Sequence, residues 1–273
     1  MNKPLVSIVI PTHNRARLFK RSLECYARQT FQDFEILLLD DDSTDLMQDC
    51  CRVLAPSLGL DLKQLWFKKP SGMGFRDGAC QINYGIRAAV GKLIITTSPE
   101  VMPGWTALEE MVAHFNRFGF QITDWVSARC YLLSGAHQSL IDTVDWQGLG
   151  APEAVRLLPG FYKAPSAEYT GAAVFENDSI DRLPMFGASI FCGMSRAGWK
   201  LIGGFPESEV WGSPDPSFLV ERSRLGIKSW TLGLASSTCV HQFHDLPGDI
   251  ASPRNMKKCI ANLVTGPWDY LKW

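Results

Sequence analysis

No apolar run in this chain approaches the roughly 18 residues needed to cross a bilayer as a helix. The opening Met1-Asn2-Lys3-Pro4 has neither the apolar core nor the small-residue cleavage site of a secretory leader. Basic charge is not in excess either. The formal net charge is −1, which excludes a nucleic-acid backbone as the main ligand, since that ligand needs a basic face. No C-x-x-C occurs among the eight cysteines, which are scattered singly apart from Cys50-Cys51. That spacing argues for small buried hydrophobes in a reducing compartment, against a disulfide framework or a zinc site. The expected location is therefore cytoplasmic. No G-x-G-x-x-G follows an expected strand, which excludes a Rossmann dehydrogenase. Neither an internal repeat nor a low-complexity segment is present.

What is present is ordinary globular material. The 273 residues, 46% hydrophobic and 20% charged, suit one large α/β domain or two closely joined ones. Leu5 to Ile10 is a β-rich apolar run stopped by Pro11, and Phe34 to Leu39 is a second one running into Asp40-Asp41-Asp42. Leu62 to Phe67 and Lys92 to Thr97 make a third and a fourth strand. Between them, helices are expected over Arg15 to Thr30, from Ser43-Thr44-Asp45 to about Leu54, and over Gly78 to Val90. Strands alternating with helices imply a parallel sheet with right-handed crossovers.

Beyond that point the expected elements are a helix from Trp105 to Phe118, strands at Trp125 to Leu133 and Ser189 to Met194, and a helix at Ser217 to Leu225. Strands at Ile227 to Leu232 and up to His241 follow. A Gly/Pro-rich stretch at 147–187 reads as a loop, and 246–273 as a basic, aromatic tail.

In such a sheet a ligand sits beyond the carboxyl ends of the strands. Those ends carry Pro11-Thr12-His13, Asp40-Asp41-Asp42 and Ser98-Pro99-Glu100. Taken alone, Glu100 is either a solvated charge at a strand end or a cation ligand, and Asp41 and Asp42 are binding residues or turn formers. His241 and His244, in CVHQFHD, are structural residues or metal ligands.

The motifs, taken in order, resemble glycosyltransferase family 2 with the GT-A fold. LVSIVIPTHNR at 5–15 and EILLLDDDSTD at 35–45 are similar to the family's first two strand–turn units. CQINYGIRAAVGKLIITTSPEVMP at 80–103 resembles its N-x-G-I helix and metal-binding strand. GASIFCGMSRAGWKLIGGFPE at 187–207 and WGSPDPSFLVERSRLG at 211–226 look like its acceptor-side half. Ser98-Pro99-Glu100 stands where the family has D-x-D, Pro214-Asp215 where it has E-D, and Asp42 where it has Gly.

The resemblance implies a Rossmann-like, mostly parallel sheet flanked by helices and fused to an acceptor-side subdomain. Residues 1–245 would be one domain, with a nucleotide-sugar half at 1–104, an acceptor half at 105–245 and a tail at 246–273. It implies an inverting, metal-dependent transferase that moves sugar from a nucleotide donor, UDP-linked, to a glycan or lipid-linked saccharide. Pro11, Thr12, Asp40, Asp41, Arg76 and Ser98 would bind the nucleotide sugar, and Trp211 the acceptor. Glu100 and His241 would hold Mn²⁺ or Mg²⁺, with His244 as the substitute for His241. One carboxylate is enough for Mg²⁺ when phosphates and waters complete its shell.

Asp215 would be the general base, since a carboxylate at the start of a helix stays ionised; the alternative is that it only caps that helix. Two rival readings remain. One is a catalytically impaired family member that binds nucleotide sugar or glycan, prompted by the altered SPE and PD motifs. The other is a sugar nucleotidyltransferase, which would want a Gly-rich phosphate loop that IPTHNRAR lacks. Homodimerisation and peripheral association with the inner face of a membrane both stay open.

Overall fold

The computed structural model describes residues 3–69, 78–128, 130–133, 135–143, 190–205 and 221–244. Its frame is a seven-stranded sheet in the order β3-β2-β1-β4-β8-β6-β9. The first four strands are β1 (Val6–Thr12), β2 (Phe34–Asp40), β3 (Leu62–Trp66) and β4 (Leu93–Thr97). They run parallel, and β8 (Phe191–Ser195) is antiparallel to β4 and to β6 (Trp125–Ser127). The outer strand β9 (Ser229–Thr231) pairs parallel with β6.

The two strand faces feed two separate cores. Val6, Ile8 and Ile10 of β1, with Ile36 and Leu38 of β2, pack with α1 (Ala16–Ala27) and α5 (Ala107–Phe118). Val9, Leu37, Leu39 and Ile94 pack instead with α4 (Ala79–Ala88) and with Trp199 and Ile202 of α7 (Arg196–Ile202). Burial on both faces is why these strands read as continuous apolar runs. Edge strand β3, by contrast, is only partly buried.

Small residues and turns let these layers close. A Cβ on Gly85 would stand 2.6 Å from Val9 Cγ1, so α4 lies tight on the sheet because the residue is glycine. Asn83 holds the chain after α7, donating to Phe205 O (2.7 Å) and accepting from Phe205 N–H (2.8 Å). Asp42 adopts φ +59°, the left-handed conformation that Asp tolerates better than most side chains.

Several sequence expectations shift. The helix expected to end near Leu54 starts at Met47 and runs in three pieces: α2 (Met47–Asp49), a π turn (Cys50–Leu54) and α3 (Ala55–Ser57). The N-cap position of α2 falls on Leu46, without a side-chain cap bond, while Asp45 just before it accepts from Met47 N–H (3.2 Å) and from Ala16 N–H of α1 (2.8 Å). The single strand expected at Trp125–Leu133 is two. β6 joins the large sheet, whereas β7 (Cys130–Leu132) pairs with β10 (Cys239–His241), which also pairs with β5 of residues Val101–Met102, in a second sheet, β5-β10-β7. β5 (Val101–Met102) and α6 (Gly135–Asp142) had no counterpart in the sequence reading. Both gain their stability from tertiary partners, and a two-residue strand has no pattern to detect. The stretch 147–187 and the tail 246–273 lie outside the described residues. Among the described residues no helix is long and apolar enough to cross a membrane.

Candidate active site

Strand order reverses at β1, with β2 and β3 on one side and β4 on the other, so the carboxyl ends of β1, β2 and β4 border the crevice where such sheets bind ligands. At the end of β4 the chain turns through Ser98-Pro99-Glu100 into β5. Ser98 O accepts from Val101 N–H (3.1 Å), and Pro99 O accepts from Ser22 Oγ on α1 (2.7 Å). Glu100 is thereby aimed from a fixed turn and is 9% exposed.

β10 (Cys239–His241) pairs antiparallel with β5, placing His241 opposite Val101. His241 Nε2 lies 3.4 Å and His244 Nε2 3.3 Å from the same oxygen, Glu100 Oε1. The ligand atoms of these three residues all fall within 4.8 Å of one another. Burial pushes the Glu100 carboxyl up. The approach of His241 and His244 overcomes this and holds it well below the usual carboxylate range. A buried carboxylate kept ionised beside two imidazoles is an O,N,N donor set suited to Mn²⁺, and to Mg²⁺ through its carboxylate.

The other strand ends form a hydrogen-bonded rim. Asp40, almost fully buried, accepts from Ser43 N–H with Oδ1 (2.9 Å) and from Gln64 Nε2 with Oδ2 (2.7 Å). Asp41 accepts from Gln81 Nε2 (2.9 Å), pairs with Lys69 Nζ (3.0 Å) and donates its backbone N–H to Thr12 O (2.8 Å). Its own carbonyl lies 2.7 Å from His13 Nδ1. Among the described residues Thr12 Oγ1 has no hydrogen-bond partner although it is buried, which leaves a polar atom at the end of β1 for a ligand to satisfy. Pro11 and Ser98 are half-buried in the same rim.

Pro11, Thr12, Asp40, Asp41, Ser98, Glu100 and His241 are thus all at the carboxyl edge of the sheet. Arg76, Trp211 and Asp215 lie outside the described residues. Sequence reasoning did not single out Lys69, Gln64 and Gln81, which hold the acidic turn, or Gln242, which anchors the histidine segment. For Lys69 a signal existed in Lys68-Lys69 directly after β3. The glutamines carry no such mark, because only their neighbours in space give them a task.

Residues 7–128 match the profile of Glycosyl transferase family 2. Over 112 residues the chain is 34% identical to a validoxylamine A glucosyltransferase of Streptomyces hygroscopicus subsp. jinggangensis, covering 40% of this chain and 25% of that protein. Over 95 residues it is 36% identical to a PGL/p-HBAD biosynthesis glycosyltransferase of Mycobacterium bovis, covering 35% of each. The alignments therefore span only a quarter to about a third of these relatives' lengths.

Among solved structures, Staphylococcus aureus TarS 1-349 in complex with UDP-GlcNAc superposes with a TM-score of 0.62 at 15% identity, covering 94% of this chain and 65% of that one. Glucosyl-3-phosphoglycerate synthase of Mycobacterium tuberculosis, in complex with Mn²⁺, UDP and glucosyl-3-phosphoglycerate, superposes at 0.55 with 17% identity, covering 96% and 79%. These two likenesses show the GT-A fold.

Proposed function

Because residues 7–128 match the family model of Glycosyl transferase family 2, we propose that this chain transfers a sugar from a nucleotide donor, UDP-linked, with Mn²⁺ or Mg²⁺ held by Glu100 and His241. The observation that carries this reading is the convergence of Glu100, His241 and His244 at the carboxyl edge of the sheet. The bound cation would neutralise charge developing on the departing diphosphate. The chain's own groups do the rest. Thr12 and Asp40 frame the nucleoside, Asp41 holds Lys69 at the rim, and the buried rim keeps water from competing for the phosphates. An acceptor hydroxyl on a glycan or lipid-linked saccharide attacks the anomeric carbon from the side opposite the diphosphate. Its proton passes to Asp215, and Trp211 receives the acceptor. Arg76 and Ser98 would complete the donor contacts. TarS was solved with UDP-GlcNAc and the synthase with Mn²⁺ and UDP, which supports the choice of nucleotide and metal.

The test is calorimetry of UDP with and without Mn²⁺, followed by transfer and hydrolysis assays over a panel of UDP- and GDP-sugars. Metal-enhanced UDP binding together with turnover of one donor is the expected result. UDP binding that Mn²⁺ does not change would remove the metal site. The replacement of D-x-D by Ser98-Pro99-Glu100 favours a second reading, a binder of nucleotide sugar without transferase activity. Tight donor binding with no transfer and no hydrolysis over the whole panel would select it.

A further inference from the structure

A cavity of about 380 Å³ opens between the start of α1 and helix α6, with Asn14, Arg15, Gln138, Ser139, Phe243 and His244 in its wall. Two acids also border it, and both are already matched. Asp45 accepts from the N–H groups of Ala16 and Met47. Asp142 pairs with Arg17 (3.0 Å) and with Arg21. Arg15 is different: no carboxylate among the described residues lies within ion-pair distance of it. Its guanidinium makes two long contacts, to Asn14 O at 3.5 Å and to His244 Nδ1 at 3.4 Å. A guanidinium carries more N–H donors than that, in a fork shaped for carboxylate or phosphate.

We infer that this cavity is an anion subsite read by Arg15, and that its ligand is the phosphate or carboxylate of an anionic saccharide acceptor. That the cavity takes an anion rests on its charges alone, and that the anion belongs to the acceptor rests on the transferase reading above. The volume exceeds what a bare phosphate fills and lies in the range of small-molecule sites. Phe243, 41% exposed beside Gly135, offers an aromatic face, and Gln138 and Ser139 offer polar edges, the mixture that suits a sugar carrying the charge.

Position sets the subsite apart from the acidic rim beside the nucleoside. The rim of Asp41, Lys69 and Gln81 is tied to α4, and α4 packs on the sheet face opposite α1. One imidazole links the cavity to Glu100: His244 meets Arg15 through Nδ1 and faces Glu100 Oε1 through Nε2 at 3.3 Å. An anion held by Arg15 therefore sits one side chain from the proposed cation, close enough to anchor an acceptor for attack.

Inorganic phosphate is titrated calorimetrically into the full chain, alone and with UDP saturating, for wild type, Arg15→Gln, Arg15→Lys and Ser139→Asp. Wild type should bind phosphate equally with and without UDP. Arg15→Gln should weaken it by at least about tenfold, because a charge-assisted fork is lost, and Arg15→Lys by less. Ser139→Asp, which adds negative charge to the wall and leaves Arg15 in place, should also weaken phosphate, while UDP affinity stays within about twofold of wild type in every variant. Equal phosphate affinity in wild type and Arg15→Gln overturns the subsite. So does a loss of UDP affinity in Arg15→Gln as large as the loss of phosphate, which would return Arg15 to the donor site. If wild type binds no UDP at all, the transferase reading fails while the phosphate comparison still decides the subsite.

Discussion

Gln242 grips the carbonyl of Glu100 twice, through its backbone N–H at 3.0 Å and its side-chain amide at 3.2 Å. The same amide reaches Leu18 O on α1 at 2.8 Å, and the side chain is fully buried. Gln242, the first of the two residues between the histidines, is thus the clamp that sets both imidazoles against Glu100. Its replacement by Leu should take the side-chain donor from Leu18 O and one of the two donors from Glu100 O, which keeps the backbone N–H, and cost roughly 1–3 kcal/mol. A lower melting temperature together with weaker Mn²⁺-dependent UDP binding is expected. An unchanged melting temperature would show that the clamp is dispensable.

Glu100→Ala removes the only carboxylate of the cluster. It should weaken UDP binding in the presence of Mn²⁺ and leave metal-free UDP binding near wild type. His241→Ala should repeat this pattern less strongly. Calorimetry with and without Mn²⁺ reads both, and equal losses in the two conditions would take Glu100 out of the metal site.

Asp40 is engaged on both oxygens, so Asp40→Asn affects the protein before it affects any ligand. The Asn oxygen can keep the Ser43 N–H, but its amide then faces the Gln64 amide, donor against donor. A buried mismatch of this kind costs roughly 1–3 kcal/mol. The expected outcome is a lower melting temperature accompanied by reduced UDP affinity without metal. A lower melting temperature with wild-type UDP affinity would make Asp40 a turn residue and nothing more.

Glu35 provides a pH handle away from the site. Its carboxylate is buried and accepts from Ser7 Oγ (2.6 Å), Val90 N–H (3.1 Å) and Lys63 Nζ (2.6 Å). Burial pushes this carboxyl up, but the three donors outweigh burial and hold it below its ordinary value of 4.5. With the folded-state pKa depressed, the stabilisation is fully present above that ordinary value and is lost as pH falls through the lower folded-state value. Glu35→Gln should therefore melt lower than wild type at neutral pH, with the gap closing below pH 4.5. Melting curves over a pH series check this, and a gap that does not change with pH would contradict it.

Asp215→Asn tests the proposed base. Donor affinity and melting temperature should stay close to wild type while transfer collapses. Wild-type turnover would refute the assignment, and a large stability loss with proportionate activity would make Asp215 a helix cap.

The sequence by itself determined the frame. Runs such as Val6 to Ile10 and Phe34 to Leu39 have to be buried on both faces, Pro11 and the acidic turn have to end them, and a glycine at 85 is needed where α4 meets Val9. These are local demands of backbone, burial and volume, and each is written in consecutive residues. The acidic and polar residues at the strand ends followed from the same logic, because parallel strands share a carboxyl edge. Tertiary structure alone decided how that edge is completed. Whether Glu100 faces water or two imidazoles depends on β10 returning to pair with β5, an event governed by long-range pairing and by Gln242. The division of Trp125 to Leu133 between two sheets has the same origin. Three-residue strands take their partners from the surface already folded around them, since so short a segment has too little pattern of its own to select one.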